Sequence, residues 1–213
     1  GFVGAPLTLA AYMIEGRPTY QWLELRRLAL GKPRVMHALL ERIVRVVTAY
    51  AAAQVEAGCD AVQVFDTAAG ELPAAELYEL AFAYAREVHA SLEDLDAPVI
   101  YFARHIGAHL EEAARLGAHV LALDSSVSIT EARRRLGDGI ALMGNLDPAV
   151  LLTSKEEIDR RVKRILREAE GLDGFVFNLG HGVLPDTEPE HARQVVLSVK
   201  EHGVRGVAML GAS

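Results

Sequence analysis

The sequence predicts an α/β protein whose parallel strands close as a (β/α)8 TIM barrel, and two observations predict it. The first is alternation. Short apolar runs rich in β-branched residues recur between segments of helical periodicity, and parallel strands require such crossovers. The second is where the polar residues fall. The runs end in the signatures FDT, FAR, LDSS, GNLD and NLGHG, and no Gly-rich dinucleotide fingerprint follows any of them. Polar groups at the carboxyl ends of many successive strands are the layout of a barrel's active face.

Taken in order, the chain opens with GFVGA (1–5), which reads as the end of a strand and its loop, followed by a short apolar helix, LTLAAYMI, carrying Tyr12. Apolar positions at helical spacing predict helices over 35–57 and 74–92. Between and after them DAVQVFD (60–66), PVIYFA (98–103), HVLALD (119–124), IALMGN (140–145) and GFVFNLG (174–180) read as buried strands. The helix in EARRRLGDG (131–139) carries three consecutive arginines; consecutive positions point in different directions, so a solvated face is expected. Ser154 and Glu157 form a capping box ahead of Ile158, Val162, Ile165 and Leu166, which predicts a helix over 154–170. Thr187 and Glu190 form a second box, with Pro189 in the first turn. Complete strands and the opening fragment together fall short of eight. The expectation is therefore that residues 1–213 are the C-terminal portion of a single barrel domain, five to six β/α units, with roughly two strands preceding Gly1.

Composition narrows the function. With 51% hydrophobic and 24% charged residues the chain is an ordinary globular one. A net charge of -7 argues against a nucleic-acid partner, which needs clustered Lys and Arg. The sequence has no apolar segment of about 18 residues and no secretory leader, so no membrane partner and a cytoplasmic location are expected. The single cysteine, Cys59, lies before a strand, on the face opposite the polar strand ends, without a CxxC or HxC neighbour. No redox pair and no thiolate metal site is suggested.

The candidate site residues come from the strand ends. His181 stands between Gly180 and Gly182, where missing side chains would let something bulky approach the backbone, although such a histidine also serves simply to satisfy a tight turn. Arg104, in FARHIG, is the clearest basic residue at a strand end; its guanidinium would either receive a carboxylate bidentately or pair with a loop carboxylate such as Asp124. Tyr12 reads as core packing or as a site residue, and Thr67 as a turn cap or a ligand contact.

Five separated motifs carry a family resemblance. GFVGAPLTLAAYMIEG (1–16), GCDAVQVFDTAAGEL (58–72), LGAHVLALDSSVSITEARRRLG (116–137), MGNLDPAVLL (143–152) and FNLGHGVLPDTEPEHARQVV (177–196) resemble, in order and spacing, the C-terminal part of the uroporphyrinogen decarboxylase family. Ala68 and Ser125 depart from it, standing where bacterial members often have tryptophan. The resemblance implies a cofactor-independent carboxy-lyase, without metal, that removes the four acetate carboxyls of uroporphyrinogen to give coproporphyrinogen, acting as a homodimer. It also implies that His181 contacts substrate carboxylate, that Tyr12 is the active-site tyrosine and that Thr67 binds substrate; Tyr12 and His181 are thus the catalytic candidates, and Tyr12, Thr67, His181 and Arg104 the substrate-binding ones. Against so anionic a substrate, Asp66, Asp124 and Asp147 are expected to hold loops through backbone N–H bonds rather than to line the mouth. The family's arginine-rich loop and the aspartate that faces the pyrroles lie upstream of the matched motifs, so these 213 residues are expected to be inactive alone. Two alternatives stand beside this reading: a zinc-dependent corrinoid or cobalamin methyltransferase of the same superfamily, which needs thiolate ligands beyond Cys59, and a non-catalytic remnant that binds tetrapyrrole.

Overall fold

The apolar runs become the six strands of one sheet: β1 (Phe2–Gly4), β2 (Val62–Asp66), β3 (Val99–Ala103), β4 (Val120–Ala122), β5 (Ala141–Leu146) and β6 (Phe175–Leu179). The computed structural model describes residues 1–203 apart from Pro18 and Tyr20. Each strand pairs in parallel with the one before it, so the order is β1-β2-β3-β4-β5-β6 with no reversal. Doubly wound sheets reverse their order at a switch point; barrels do not.

The helices are α1 (Pro6–Glu15), α2 (Leu23–Gly31), α3 (Pro33–Glu56), α4 (Ala74–Glu76), α5 (Ala83–Ser91), α6 (Leu110–Ala114), α7 (Ile129–Leu136), α8 (Lys155–Glu168) and α9 (Pro189–His202). Strand parity decides which face they cover. Val62 and Val64 of β2, Tyr101 of β3 and Leu121 of β4 are buried together with helix residues such as Leu40, Val88, Ile129 and Val162. The residues between them pack on the other face as a separate cluster made of strand side chains alone: Phe102, Ala122 and Met143 against Phe65, Ile100 and Val120. Helices bury one face, and the other packs on itself across neighbouring strands. That is the wall of a (β/α)8-type barrel rather than a sheet sandwiched between helices.

Several local expectations are modified. The helix over 74–92 passes through a π-helical stretch, Leu77–Phe82, between α4 and α5. Leu77, Leu80, Ala81 and Phe82 of that stretch are buried, and π-helical turns of this kind occur as short interruptions of α-helices. Helix α2 had no local start signal, because its first N–H groups are capped from a distance: Glu24 and Leu25 both donate to Glu15 Oε1, at 2.8 and 3.2 Å. At α8 the Ser154 hydroxyl accepts from Glu157 N as expected, but the Glu157 carboxylate turns to Arg160 and Arg161 instead of back to Ser154. The second box does not form. Thr187 N donates to Leu184 O within the preceding turn, Pro189 takes the first helical position, and the capping place falls on Glu188, whose side chain caps nothing. The three arginines of α7 also part company with expectation: Arg134 is a solvated partner of Glu131, whereas Arg135 is largely covered and clamps Glu111 of α6, holding that carboxyl down at about 2.

Candidate active site

The carboxyl end of the sheet gathers the expected residues on consecutive loops. After β6, Gly180 N still donates to Leu146 O at 2.7 Å, extending the ladder by one bond. A Cβ on Gly180 would stand 2.6 Å from Ser125 N, so this glycine is what lets the loops after β4 and β6 touch. Gly182 differs, since a Cβ there would meet nothing within 4 Å. The two flanking glycines therefore do separate things: one permits protein-to-protein contact, and only the other leaves open space beside the histidine.

His181 itself is oriented by its neighbour. Gly182 N–H donates to Nδ1 at 2.7 Å, which commits that nitrogen as an acceptor and leaves the ring proton of the neutral form on Nε2. Partial burial pushes the imidazole below its usual pKa, the Arg104 guanidinium adds to that effect, Asp124 opposes it and His105 reinforces it. The ring lies 6.2 Å from the ring of Phe102. It forms one side of a recess of about 220 Å³ lined also by Gln63, Phe65, Phe102, Ala122 and Asn178, the inward-facing residues of the barrel wall.

Thr67 is half-buried in the turn directly after β2. Among the described residues its hydroxyl caps no N–H of the short helical turn Ala69–Glu71, and the N–H of the next residue, Ala68, donates to Thr8 Oγ1 of α1 at 3.1 Å. Tyr12 lies four residues beyond Thr8, on the same side of α1 and 43% exposed, edge-on to Trp22 with ring centroids 5.5 Å apart. Thr8 is thus the joint between the helix that carries Tyr12 and the loop that carries Thr67. Its hydroxyl also donates to Asp66 Oδ1 at 2.8 Å, and Tyr101 donates to Asp66 Oδ2 at 3.1 Å.

The aspartates divide. Asp124 accepts from His105 N at 2.7 Å and from Ser126 N at 2.9 Å, and Asp147 accepts from Ala149 N at 2.9 Å, so both hold loops. Asp66 does not: it is buried on the helix-facing side of β2, takes two hydroxyl donors, and burial raises its pKa to about 6 against their opposing pull. Arg104 is half-buried on the loop after β3, and among the described residues no carboxylate lies within 4 Å of its guanidinium; the pairing with Asp124 is not formed, because that carboxylate is engaged by backbone N–H groups. Arg104 and His181 are brought together closely enough for the one to shift the other. Tyr12 and Thr67 are joined to each other through Thr8, and no hydrogen bond among the described residues links either to His181.

Comparison with known proteins fits this arrangement. Residues 1–202 match the family described as uroporphyrinogen decarboxylase (URO-D). The chain belongs to the uroporphyrinogen decarboxylase family. It is 43% identical over 205 residues to the uroporphyrinogen decarboxylase of Hahella chejuensis, covering 94% of this chain and 58% of that protein. The corresponding protein of Pseudomonas entomophila is 42% identical with the same coverage, and that of Syntrophotalea carbinolica is 43% identical over 196 residues, with 92% and 57% covered. The chain thus spans 58% of the length of the family members from Hahella and Pseudomonas. A methyltransferase from Methanosarcina mazei shares the fold at a TM-score of 0.79 over 94% of this chain and 58% of its own, with 19% sequence identity.

Three features of this family member's site were not read from the sequence: the Thr8 joint, the His105–Glu71 contact (2.9 Å), and Asn145, whose side-chain amide donates to Asp124 O at 2.8 Å and to Val127 O, fixing the loop after β4. Asn145 had a visible signal in the GNLD strand end. Thr8 had none, because its partners lie about sixty positions away along the chain.

Proposed function

We propose that the protein containing this chain is a uroporphyrinogen decarboxylase, converting uroporphyrinogen to coproporphyrinogen by replacing each of four acetate carboxyls with a proton. The observation that carries the reading, beside family membership, is His181: an imidazole with Nδ1 occupied and its Nε2–H available, on the rim of an apolar recess with an unpaired guanidinium nearby. The recess is smaller than the roughly 300–1,000 Å³ that encloses a drug-sized ligand, so it suits one arm or edge of a macrocycle. A ring-protonated pyrrole is the electron sink: the bond from the acetate methylene to its carboxylate breaks, CO2 leaves, and the electron pair of that bond forms an exocyclic double bond. A proton then adds to the exocyclic carbon to make the methyl group, and loss of the first proton from the ring restores the pyrrole. In this scheme His181 anchors a substrate carboxylate through Nε2–H, Arg104 receives another, Thr67 binds the substrate from the turn after β2, and Tyr12 faces it from α1. No cofactor is required by this chemistry. The same reading makes the protein a cytoplasmic homodimer; among the described residues no helix is long and apolar enough to cross a membrane.

The zinc methyltransferase alternative draws less support. The likeness to the Methanosarcina protein is one of fold, Cys59 lies before β2 at the opposite end of the strands from His181, and among the described residues no three His, Cys, Asp or Glu side chains are placed to hold a metal ion.

Assay of the intact protein with uroporphyrinogen, with chromatography of the oxidised products, tests the proposal. His181→Ala should slow turnover about 10- to 100-fold, the worth of one hydrogen bond to a charged group, and release intermediates with seven, six or five carboxylates as the substrate is held less firmly. Complete loss without intermediates, in a protein that still binds, would make His181 the proton donor instead; unchanged kinetics would leave it a turn residue.

A further inference from the structure

One backbone position at the mouth is held in a strained conformation. His105 has φ 55°, in the left-handed region that a residue with a Cβ seldom occupies, and strain of this kind collects where a site imposes it. The surroundings hold it there from two sides. His105 N donates to Asp124 Oδ2 at 2.7 Å, and the ring Nδ1 meets Glu71 Oε1 at 2.9 Å. Glu71 can reach because of Gly70: a Cβ on that glycine would lie 1.8 Å from Arg104 O, so the turn after β2 fits directly beneath the Arg104–His105 peptide.

The result is an imidazole whose other nitrogen, Nε2, sits 3.5 Å from Arg104 Nη2. Two nitrogen groups are held side by side. The carboxylates in reach are already engaged, Glu71 behind the ring and Asp124 on backbone N–H groups and Ser126, and among the described residues none pairs with Arg104. In this contact the guanidinium can only donate, so Nε2 accepts from it while Nδ1–H is given to Glu71; a carboxylate arriving between the two with a proton for the ring would instead take one N–H from each. One carboxylate placed there would accept from both residues, the charge-assisted arrangement that arginine favours. The titratable and charged groups facing this spot are Glu71 from the loop after β2, Arg104 from the loop after β3, Asp124 from the loop after β4 and His181 from the loop after β6, so it opens on the same mouth as the recess.

We propose that Arg104 and His105, backed by Glu71, form a two-donor clamp for one carboxylate arm of the substrate, with His105 a substrate-binding residue additional to His181. The proposal rests on the decarboxylase reading, and the test separates the two. Uroporphyrin, the oxidised and unreactive form of the substrate, serves as a binding probe for the intact protein by fluorescence, beside KM and kcat for uroporphyrinogen and thermal unfolding. His105→Gly should weaken uroporphyrin binding about tenfold and raise KM with little change in kcat. Its thermal midpoint should hold or rise, because glycine tolerates φ 55°. Glu71→Gln, which keeps a hydrogen-bond acceptor but removes the charge behind the ring, should weaken binding severalfold in the same direction. Wild-type affinity and KM in His105→Gly would overturn the clamp. So would a fall in its thermal midpoint matching the loss of binding, since that marks the imidazole as a strut. A wild-type protein that binds uroporphyrin, loses affinity on His105→Gly, and yet does not decarboxylate would overturn the decarboxylase reading and leave the clamp standing.

Discussion

A carboxyl group wholly out of water, as that of Asp66 is, makes folding answer to pH. Burial raises its pKa to about 6, while Thr8 and Tyr101 pull the other way through their hydroxyl donors. In the unfolded chain the group titrates near 3.9. The folded state therefore binds the proton more tightly between these values: the stability that protonated Asp66 contributes is complete below about pH 4 and is lost as pH rises through about 6. Roughly two pKa units correspond to about 3 kcal/mol. Asp66→Asn should flatten the pH dependence of the urea midpoint across that window, and an unaltered slope would show that the group is solvated. Parity along β2 already carried the placement, since Val62, Val64 and Asp66 share one side and the valines plainly belonged to the core. The same parity puts Gln63 and Phe65 on the recess side. A strand-end aspartate looks like a loop holder only when read as part of its motif rather than of its strand. For His105 no such signal existed, because φ is a property of three loops meeting, not of HIG in the chain.

At the scale of the element, a start signal in the sequence is only an offer that neighbouring geometry accepts or refuses. Ser154 is accepted, with its hydroxyl on Glu157 N at 3.3 Å. Thr187 is refused, because the Leu184–Thr187 turn uses its backbone and leaves Oγ1 buried with no partner among the described residues. The contrast is measurable. Ser154→Ala should cost about 1 kcal/mol, the usual worth of a capping hydroxyl, whereas Thr187→Val should be neutral or stabilising because it removes an unsatisfied polar atom. Equal losses in chemical denaturation would mean that both hydroxyls cap. Helix α3, at 24 residues, announces itself by its apolar stripe; α2 is invisible because Glu15, which caps it, belongs to the preceding helix. Long elements with local patterns were legible, and short ones secured by distant groups were not.

For the whole molecule, the barrel architecture was readable because strand ends and helical periods repeat, and the alternatives differ in how many faces the helices cover. The net charge of -7 gave no hint of the nitrogen-bearing side chains at the mouth, since Arg104, His105 and His181 are few and are gathered only by the fold. The unbroken strand order has a further consequence, and it concerns how the chain is made. Each strand from β2 onward pairs with the one before it, so at the ribosome every new strand emerges to find its hydrogen-bonding partner already synthesised. Nothing in the described sheet has to wait for a distant segment still to be translated. Nascent chains stalled at increasing lengths should therefore gain protection from protease in successive increments, one as each of β3, β4, β5 and β6 clears the exit tunnel. A single jump on release of the finished polypeptide would show instead that the wall becomes stable only when assembled entire.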